Sequence, residues 1–210
     1  LTDDSLSLLM NAHAAWLKLN DEERAQVDGK LIEQIKEKEK ELQELAQAEA
    51  TDEDYTAVKE MEERIAAASG EVKLEDEETL KKIRSDFDAM TKIRQAMVVN
   101  YYSLVAQEMD LEKLKKDTAI AEAISERIAA LGEITFESEE RLTALRKDYT
   151  ALTTAQKNLV RNYELLAQAE NKLADLKYNR SQAESAVEKI NAIGEVTLNS
   201  REAIAKARAA

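Results

Sequence analysis

The chain has 210 residues, 44% hydrophobic and 35% charged, with no proline, no cysteine, four glycines and a net charge of −13. At ordinary usage of roughly 5% a chain of this length would hold about ten prolines, so their absence excludes proline-punctuated sandwiches, collagenous segments and polyproline linkers and points to an all-α protein. The acidic excess argues against nucleic acid and anionic lipid surfaces as partners, and the missing cysteines remove disulfides, thiolate metal ligands and cysteine nucleophiles together.

No stretch reaches the roughly 20 consecutive apolar residues of a bilayer span, so no membrane insertion is expected. The opening Leu1-Thr2-Asp3-Asp4 has no initiator Met, no basic segment and no apolar segment. It reads as the start of a piece excised from a longer protein.

In chain order, Leu9, Ala12, Trp16 and Leu19 form one apolar stripe at helical spacing, a helix A. Asn20-Asp21-Glu22-Glu23 is a capping residue with Glu three positions on, which starts a longer helix B. The run Lys36-Glu37-Lys38-Glu39-Lys40-Glu41 suits an exposed helix face with paired charges. Thr51-Asp52-Glu53-Asp54 opens a helix C, and Gly70 ends it, glycine being the common left-handed residue after a helix.

From Gly70 the plan recurs. Gly70-Glu71-Val72, Gly132-Glu133-Ile134 and Gly194-Glu195-Val196 are each 62 residues apart. At that interval Leu80, Ile83, Phe87 and Met90 of helix A fall on Leu142, Leu145, Tyr149 and Leu152. Thr91 and Thr153 occupy the cap of helix B, whose seam Val98, Asn100, Tyr101, Leu104, Leu111 and Leu114 falls on Val160, Asn162, Tyr163, Leu166, Leu173 and Leu176. Helix C aligns Ala121, Ile128 and Ala130 with Ala183, Ile190 and Ala192, and Ser181-Gln182-Ala183-Glu184 reads as its cap. After each glycine an alternating pair, Val72 and Leu74, Ile134 and Phe136, Val196 and Leu198, suggests an extended connector that tucks two side chains into the bundle. Asp76, Ser138 and Ser200 then recur at the start of helix A.

The expected organisation is therefore tandem three-helix-bundle repeats of about 62 residues arranged as an elongated rod: residues 1–69, about nine residues longer than the others, then 70–131, 132–193 and a truncated start of a fourth at 194–210. Ile204, Ala207 and Arg208 match Leu142, Leu145 and Arg146. On this reading an aromatic residue follows Ala210. One such unit buries only a marginal core, so neighbours are expected to share interfaces, and three units end to end give a length on the order of 100 Å.

Candidate sites are few. His13 occupies the slot of Arg84, Arg146 and Arg208, which makes it a polar side chain flanking the helix A seam; a metal-binding or catalytic His needs partners that the sequence does not show. Glu75-Asp76-Glu77-Glu78 lacks the spacing and glycine of a calcium loop and suits the first turn of a helix. Arg84 and Arg146 are expected to pair with Glu108 and Glu170, and Asn100 and Asn162 to bond connector backbone. Gly-rich phosphate loops, H-E-x-x-H, G-x-S-x-G and dinucleotide fingerprints are all missing. No catalytic, cofactor-binding or metal-binding residue is assigned, and no enzyme is expected. Side chains that fail to recur are a better guide to a binding surface: Val99 faces Arg161 and Tyr102 faces Glu164 in the alignment, and Gln95, Val99 and Tyr102 are expected on one face of helix B as a partner-binding patch.

The connector Ile193-Gly194-Glu195-Val196-Thr197-Leu198-Asn199-Ser200, the pair Ala207-Arg208 and the segment 152–163, Leu-Thr-Thr-Ala-Gln-Lys-Asn-Leu-Val-Arg-Asn-Tyr, resemble the tandem three-helix repeats of large exported proteins of Gram-positive, especially gut, bacteria. In size the units are similar to the albumin-binding, immunoglobulin-binding and found-in-various-architectures helical modules of such surface proteins. The resemblance implies an extracellular or cell-wall location, with which the lack of cysteine agrees, and no cofactor. It carries over no ligand-contacting residue. The expected function is a monomeric, non-catalytic stalk or spacer that presents flanking domains of the same polypeptide. The alternative is an adhesion module that recognises a host protein or glycan through helix faces. An intracellular coiled-coil scaffold fits less well, because glycine breaks replace an uninterrupted heptad.

Overall fold

The computed structural model describes residues 3–209, without the side chains of residues 3, 4 and 198. Among these the protein is all-α, as expected, with helices α1 (Asp3–Leu17), α2 (Asp21–Arg24), α3 (Gly29–Glu49), α4 (Asp52–Ala67), α5 (Glu77–Asp88), α6 (Lys92–Met97), α7 (Tyr101–Ala129), α8 (Glu139–Ala151), α9 (Thr154–Leu159), α10 (Tyr163–Asn191) and α11 (Arg201–Arg208). Short 3₁₀ turns at Leu74–Asp76, Phe136–Ser138 and Leu198–Ser200 precede α5, α8 and α11. None of the described helices is long and apolar enough to cross a membrane.

The capping chemistry acts where the sequence puts it. Asn20 with Glu23, Thr51 with Asp54 and Thr153 with Gln156 form reciprocal boxes, and the Thr91 side chain accepts from the Arg94 amide. Three of these caps do not open the expected long helix B. Asn20, Thr91 and Thr153 each head a short helix of four or six residues, and a corner separates it from the long helix. At Val98 and Val160 the backbone turns to ψ 104° and 110°, and both side chains are buried. β-Branched valine loses rotamer freedom in a helix, so a corner costs little there. Asn100 and Asn162 then donate through Nδ2 to the carbonyls of Glu62 and Ser125, each 2.9 Å away. These carbonyls lie on α4 and α7, a correction to the expected connector contact.

Helix C is a separate element only as α4. In the later repeats it is continuous with helix B, because α7 and α10 each run 29 residues, and α10 passes through Ser181 without a break. A serine inside a helix costs only about 0.5 kcal/mol relative to alanine. Arg180 makes that stretch locally favourable by bonding Glu184 one turn on (2.8 Å) and lying 5.2 Å over the Phe136 ring.

Packing divides the chain into two compact units, Leu1–Lys116 and Asp117–Ala210, with the boundary inside α7. In the first, Leu6 and Met10 of α1 share one core with Val58, Met61 and Ile65 of α4, Leu80, Ile83 and Phe87 of α5, and Leu104 and Leu111 of α7. Helices α1 and α3 also pack on α6. The first two predicted repeats thus share a core instead of forming separate bundles. The second unit gathers Ala121, Ile124 and Ile128 of α7, Leu142 and Leu145 of α8, and Leu166, Ala169 and Leu173 of α10.

Contacts within the two units recur at the sequence period. Arg84 grips Glu108 with two hydrogen bonds, 2.8 and 2.6 Å, and donates to the Tyr101 hydroxyl at 3.0 Å. Arg146 makes the same three contacts with Glu170 and Tyr163. Phe87 stacks on Tyr101 and Tyr149 on Tyr163, each with ring centroids 4.6 Å apart. Lys115 pairs with Glu77, and Lys177 with Glu139. The pairs Arg64–Asp86 and Arg127–Asp148 correspond, as do Arg94–Asp54 and Gln156–Asp117. Partners on α4 reappear 63 residues later, at Asp117, Ser125 and Arg127, whereas all the others shift by 62. One residue more therefore separates α4 from its glycine. There Gly70 takes φ 158°, while Gly132 and Gly194 adopt the left-handed φ of 64° and 60° expected of them.

The connectors are only half as expected. Val72 and Ile134 pack against the cores, but Leu74 and Phe136 open the 3₁₀ turns and are exposed, as is Val196. The side chain of Leu198 lies outside the described residues. The turns are closed by side chains: Asp76, Ser138 and Ser200 accept from the amides of Lys73, Thr135 and Thr197 at 2.8, 3.1 and 2.9 Å.

Candidate functional site

Gln95, Val99 and Tyr102 line one cleft of the first unit, about 270 Å³ in volume, together with His13, Glu39 and Lys36. They do not share a helix face. Gln95 belongs to α6, Val99 to the corner and Tyr102 to α7. Gln95 is only 6% exposed, and its Nε2 donates to the carbonyls of Phe87 and Asp88 at 2.9 and 3.2 Å. Both carbonyls lie at the end of α5, where that of Phe87 also accepts from the Met90 amide. Lys92 holds its other end, donating to Oε1 at 2.9 Å. Gln95 is thus occupied in the fold, and only Val99, 70% exposed, offers free surface.

The cleft is organised by a carboxylate whose sequence context suits an exposed face. Glu39 of α3 turns inward from its charged run and accepts hydrogen bonds from His13 Nδ1 (2.9 Å) and from the Tyr102 hydroxyl. Its neighbours behave as expected, Lys38 pairing with Glu41 at 2.6 Å and Lys40 with Glu44 at 3.8 Å. Because a carboxylate only accepts, His13 Nδ1 carries a proton. The imidazole lies against the Tyr102 ring, centroids 3.9 Å apart. Burial, joined by the Glu39 contact, pushes the Tyr102 hydroxyl far above the ordinary phenol range. It therefore stays a donor.

His13, Glu39 and Tyr102 tie α1, α3 and α7 together. His13 does sit in the arginine slot, and Glu39 is to it what Glu108 is to Arg84: the sequence separations are 26 and 24 residues. A separation of 24 from His13 falls on Glu37, so the spacing alone does not single out Glu39. Tyr102, with no counterpart in the second unit, closes the pair. A tyrosine held protonated is a poor nucleophile and a poor base, and among the described residues no serine, lysine or second carboxylate is seen to join the hydrogen-bonded set. No group of three or more His, Asp or Glu among the described residues is placed to hold a metal ion.

Two wider clefts in the first unit, about 650 and 750 Å³, border Gly70 and the α1–α7 groove. The ion pairs Arg64–Asp86 and Arg84–Glu108 each lie along one of them.

Comparison with protein-family models, with curated proteins and with solved structures finds no match.

Proposed function

We propose that this chain is a non-catalytic spacer built from tandem three-helix units, part of an exported, surface-attached bacterial protein, which holds other segments of the same polypeptide apart. The observation that carries this reading is the recurrence of one contact set in both units. The arginine clamp, the stacked aromatic pair, the cap-to-helix bond and the asparagine anchor all return, while the cluster His13–Glu39–Tyr102, which does not return, has its polar groups turned on one another. Repetition of architecture without repetition of an open polar site is what a length-giving module needs. The exported, cell-wall location rests on the resemblance of the connector and corner segments alone.

Small-angle scattering on residues 1–210 tests the spacer. A radius of gyration well above the roughly 17 Å of a compact domain of this length supports it, and a value near 17 Å overturns it. The adhesion reading is favoured by Val99, whose apolar side chain projects beside the cleft. Capture of a serum or mucin component by the wild type, lost in Val99→Lys/Tyr102→Ala, would replace the spacer reading with that one.

A further inference from the structure

The C-terminal half of α10 and helix α11, both in the second unit, reproduce two sides of a packing arrangement whose third side is filled elsewhere in the chain. Ile65 of α4 and Ile128 of α7 are 0% and 1% exposed, whereas Ile190, their counterpart on α10, is 55% exposed. Leu80 and Leu142 are buried, and their counterpart Ile204 is only half-buried; Ile83 and Leu145 are buried, and Ala207 is again half-buried. The difference has one source. Ile65, Leu80 and Ile83 pack in a core with Leu104 and Leu111 of α7, and Ile128, Leu142 and Leu145 with Leu166 and Leu173 of α10, but no described helix lies in that position over Ile190, Ile204 and Ala207.

Charge makes a second and independent case. Arg84 and Arg146 each hold a glutamate by two bonds and a tyrosine hydroxyl by a third. Arg208, in the same slot, makes no ion pair with any described residue and is exposed. One turn pair earlier, Glu77 and Glu139 pair with lysines of the covering helix, Lys115 and Lys177. The matching residue on α11 is Arg201, which reverses the sign and is likewise unpaired among the described residues.

We propose that this face is a receptor for one amphipathic helix of the α7 and α10 type, carried outside residues 1–210. Its stripe is set by the two helices that fill the equivalent positions: Tyr at i, Leu at i+3, Glu at i+7 against Arg208, and Leu at i+10. At i+14, where Lys115 and Lys177 stand, it carries a carboxylate against Arg201. Anchors at this spacing are how a helix seats in an apolar groove, and the opposed charges set its direction and register.

The probe is a synthetic peptide of residues 153–180 carrying Lys177→Glu, titrated into the 1–210 protein by calorimetry. Saturable one-to-one binding is expected. Ile190→Asp in the protein should abolish it, and Arg208→Glu should weaken it at least tenfold. A peptide that also carries Glu170→Arg should bind the Arg208→Glu protein better than the wild type. The unmodified peptide, with Lys177 facing Arg201, should bind several-fold more weakly. No binding, or binding unaffected by Ile190→Asp, overturns the proposal; the latter would mean that the peptide displaces α10 from its own bundle. An Ile190-dependent dimer of 1–210 in sedimentation equilibrium also overturns it, since the occupant would then be a second copy. Scattering tests the spacer reading and titration tests this face, so the two fail separately.

Discussion

Arg84 on α5 grips Glu108 on α7 through two parallel hydrogen bonds while lying 5.0 Å over the ring of Tyr101, whose hydroxyl takes a third bond. The pair is about three-quarters shielded on the arginine side, and planar, bidentate geometry is what guanidinium offers and ammonium does not. Arg84→Lys should therefore lose much of what Arg84→Ala loses, about 1–2 kcal/mol by urea unfolding. A double-mutant cycle with Glu108→Gln should show coupling of about 1 kcal/mol. Additive single effects would show that the recurring clamp is decoration.

The Thr51–Asp54 capping box and Arg94 together hold the Asp54 carboxyl well below its usual range, at about 2, with the Thr51 amide as the largest cause and the Arg94 bond next. An acid depressed in the folded state contributes stability that is complete above its unfolded value, about 3.9, and is lost as the pH falls through the folded value. The window is therefore about pH 4 to 2. Asp54→Asn should remove that part of the acid-unfolding curve, and a carboxyl NMR titration should place Asp54 at about 2.

Tyr102 gives the opposite window. Its raised hydroxyl adds stability that is complete below the ordinary phenol value of about 10 and lost as the pH rises above it. Alkaline difference spectra should contain one tyrosine equivalent that ionises only with unfolding. Tyr102→Phe should delete that component and cost about 1 kcal/mol, since Glu39 keeps His13 as a donor.

The four glycines should separate by conformation alone, because nothing lies within 4 Å of a Cβ built on any of them. Gly132→Ala and Gly194→Ala should each cost about 1 kcal/mol or more through left-handed φ, with Asn tolerated better. Gly29 is the first residue of α3, and Gly29→Ala should stabilise by about 0.5 kcal/mol. Thermal melts of the variants decide this; equal effects at Gly29 and Gly132 would remove the assigned role of φ.

The corner asparagines test an anchor of the repeat. Each donates to a helix carbonyl while its own Oδ1 is buried without a partner. Asn162→Asp replaces the donor with a second acceptor facing the Ser125 carbonyl and should cost more than Asn162→Ala, about 3 against 1 kcal/mol by chemical denaturation.

Part of the fold is legible in the residues. The period can be read because the same seam, caps and glycine return after 62 positions, and the Arg–Glu pairing because both members shift together. Gln95 passes for a surface residue in the sequence because its partners, the carbonyls of Phe87 and Asp88, appear only once α5 ends and α6 turns back on it. Glu39 is hidden for a related reason: within Lys36–Glu41 every residue has the same local environment, and only the arrival of α1 and α7 singles one out.

The features that the residues settle alone are local or periodic: helix class, the caps at Asn20, Thr51, Thr91 and Thr153, and left-handed glycines at 132 and 194, each fixed by interactions spanning three or four residues. Whether a helix stops at a cap depends instead on packing between distant segments. Thr51 ends α3 and starts α4, whereas α7 runs on past Leu114 and Asp117, the counterparts of Thr51 and Asp54, although Gln156 of α9 bonds Asp117 as Arg94 of α6 bonds Asp54, and α10 runs on through Ser181. A cap lowers the cost of breaking a helix by about 1 kcal/mol. That is too little to choose between a corner and a continuous helix, so the choice falls to whatever packs opposite.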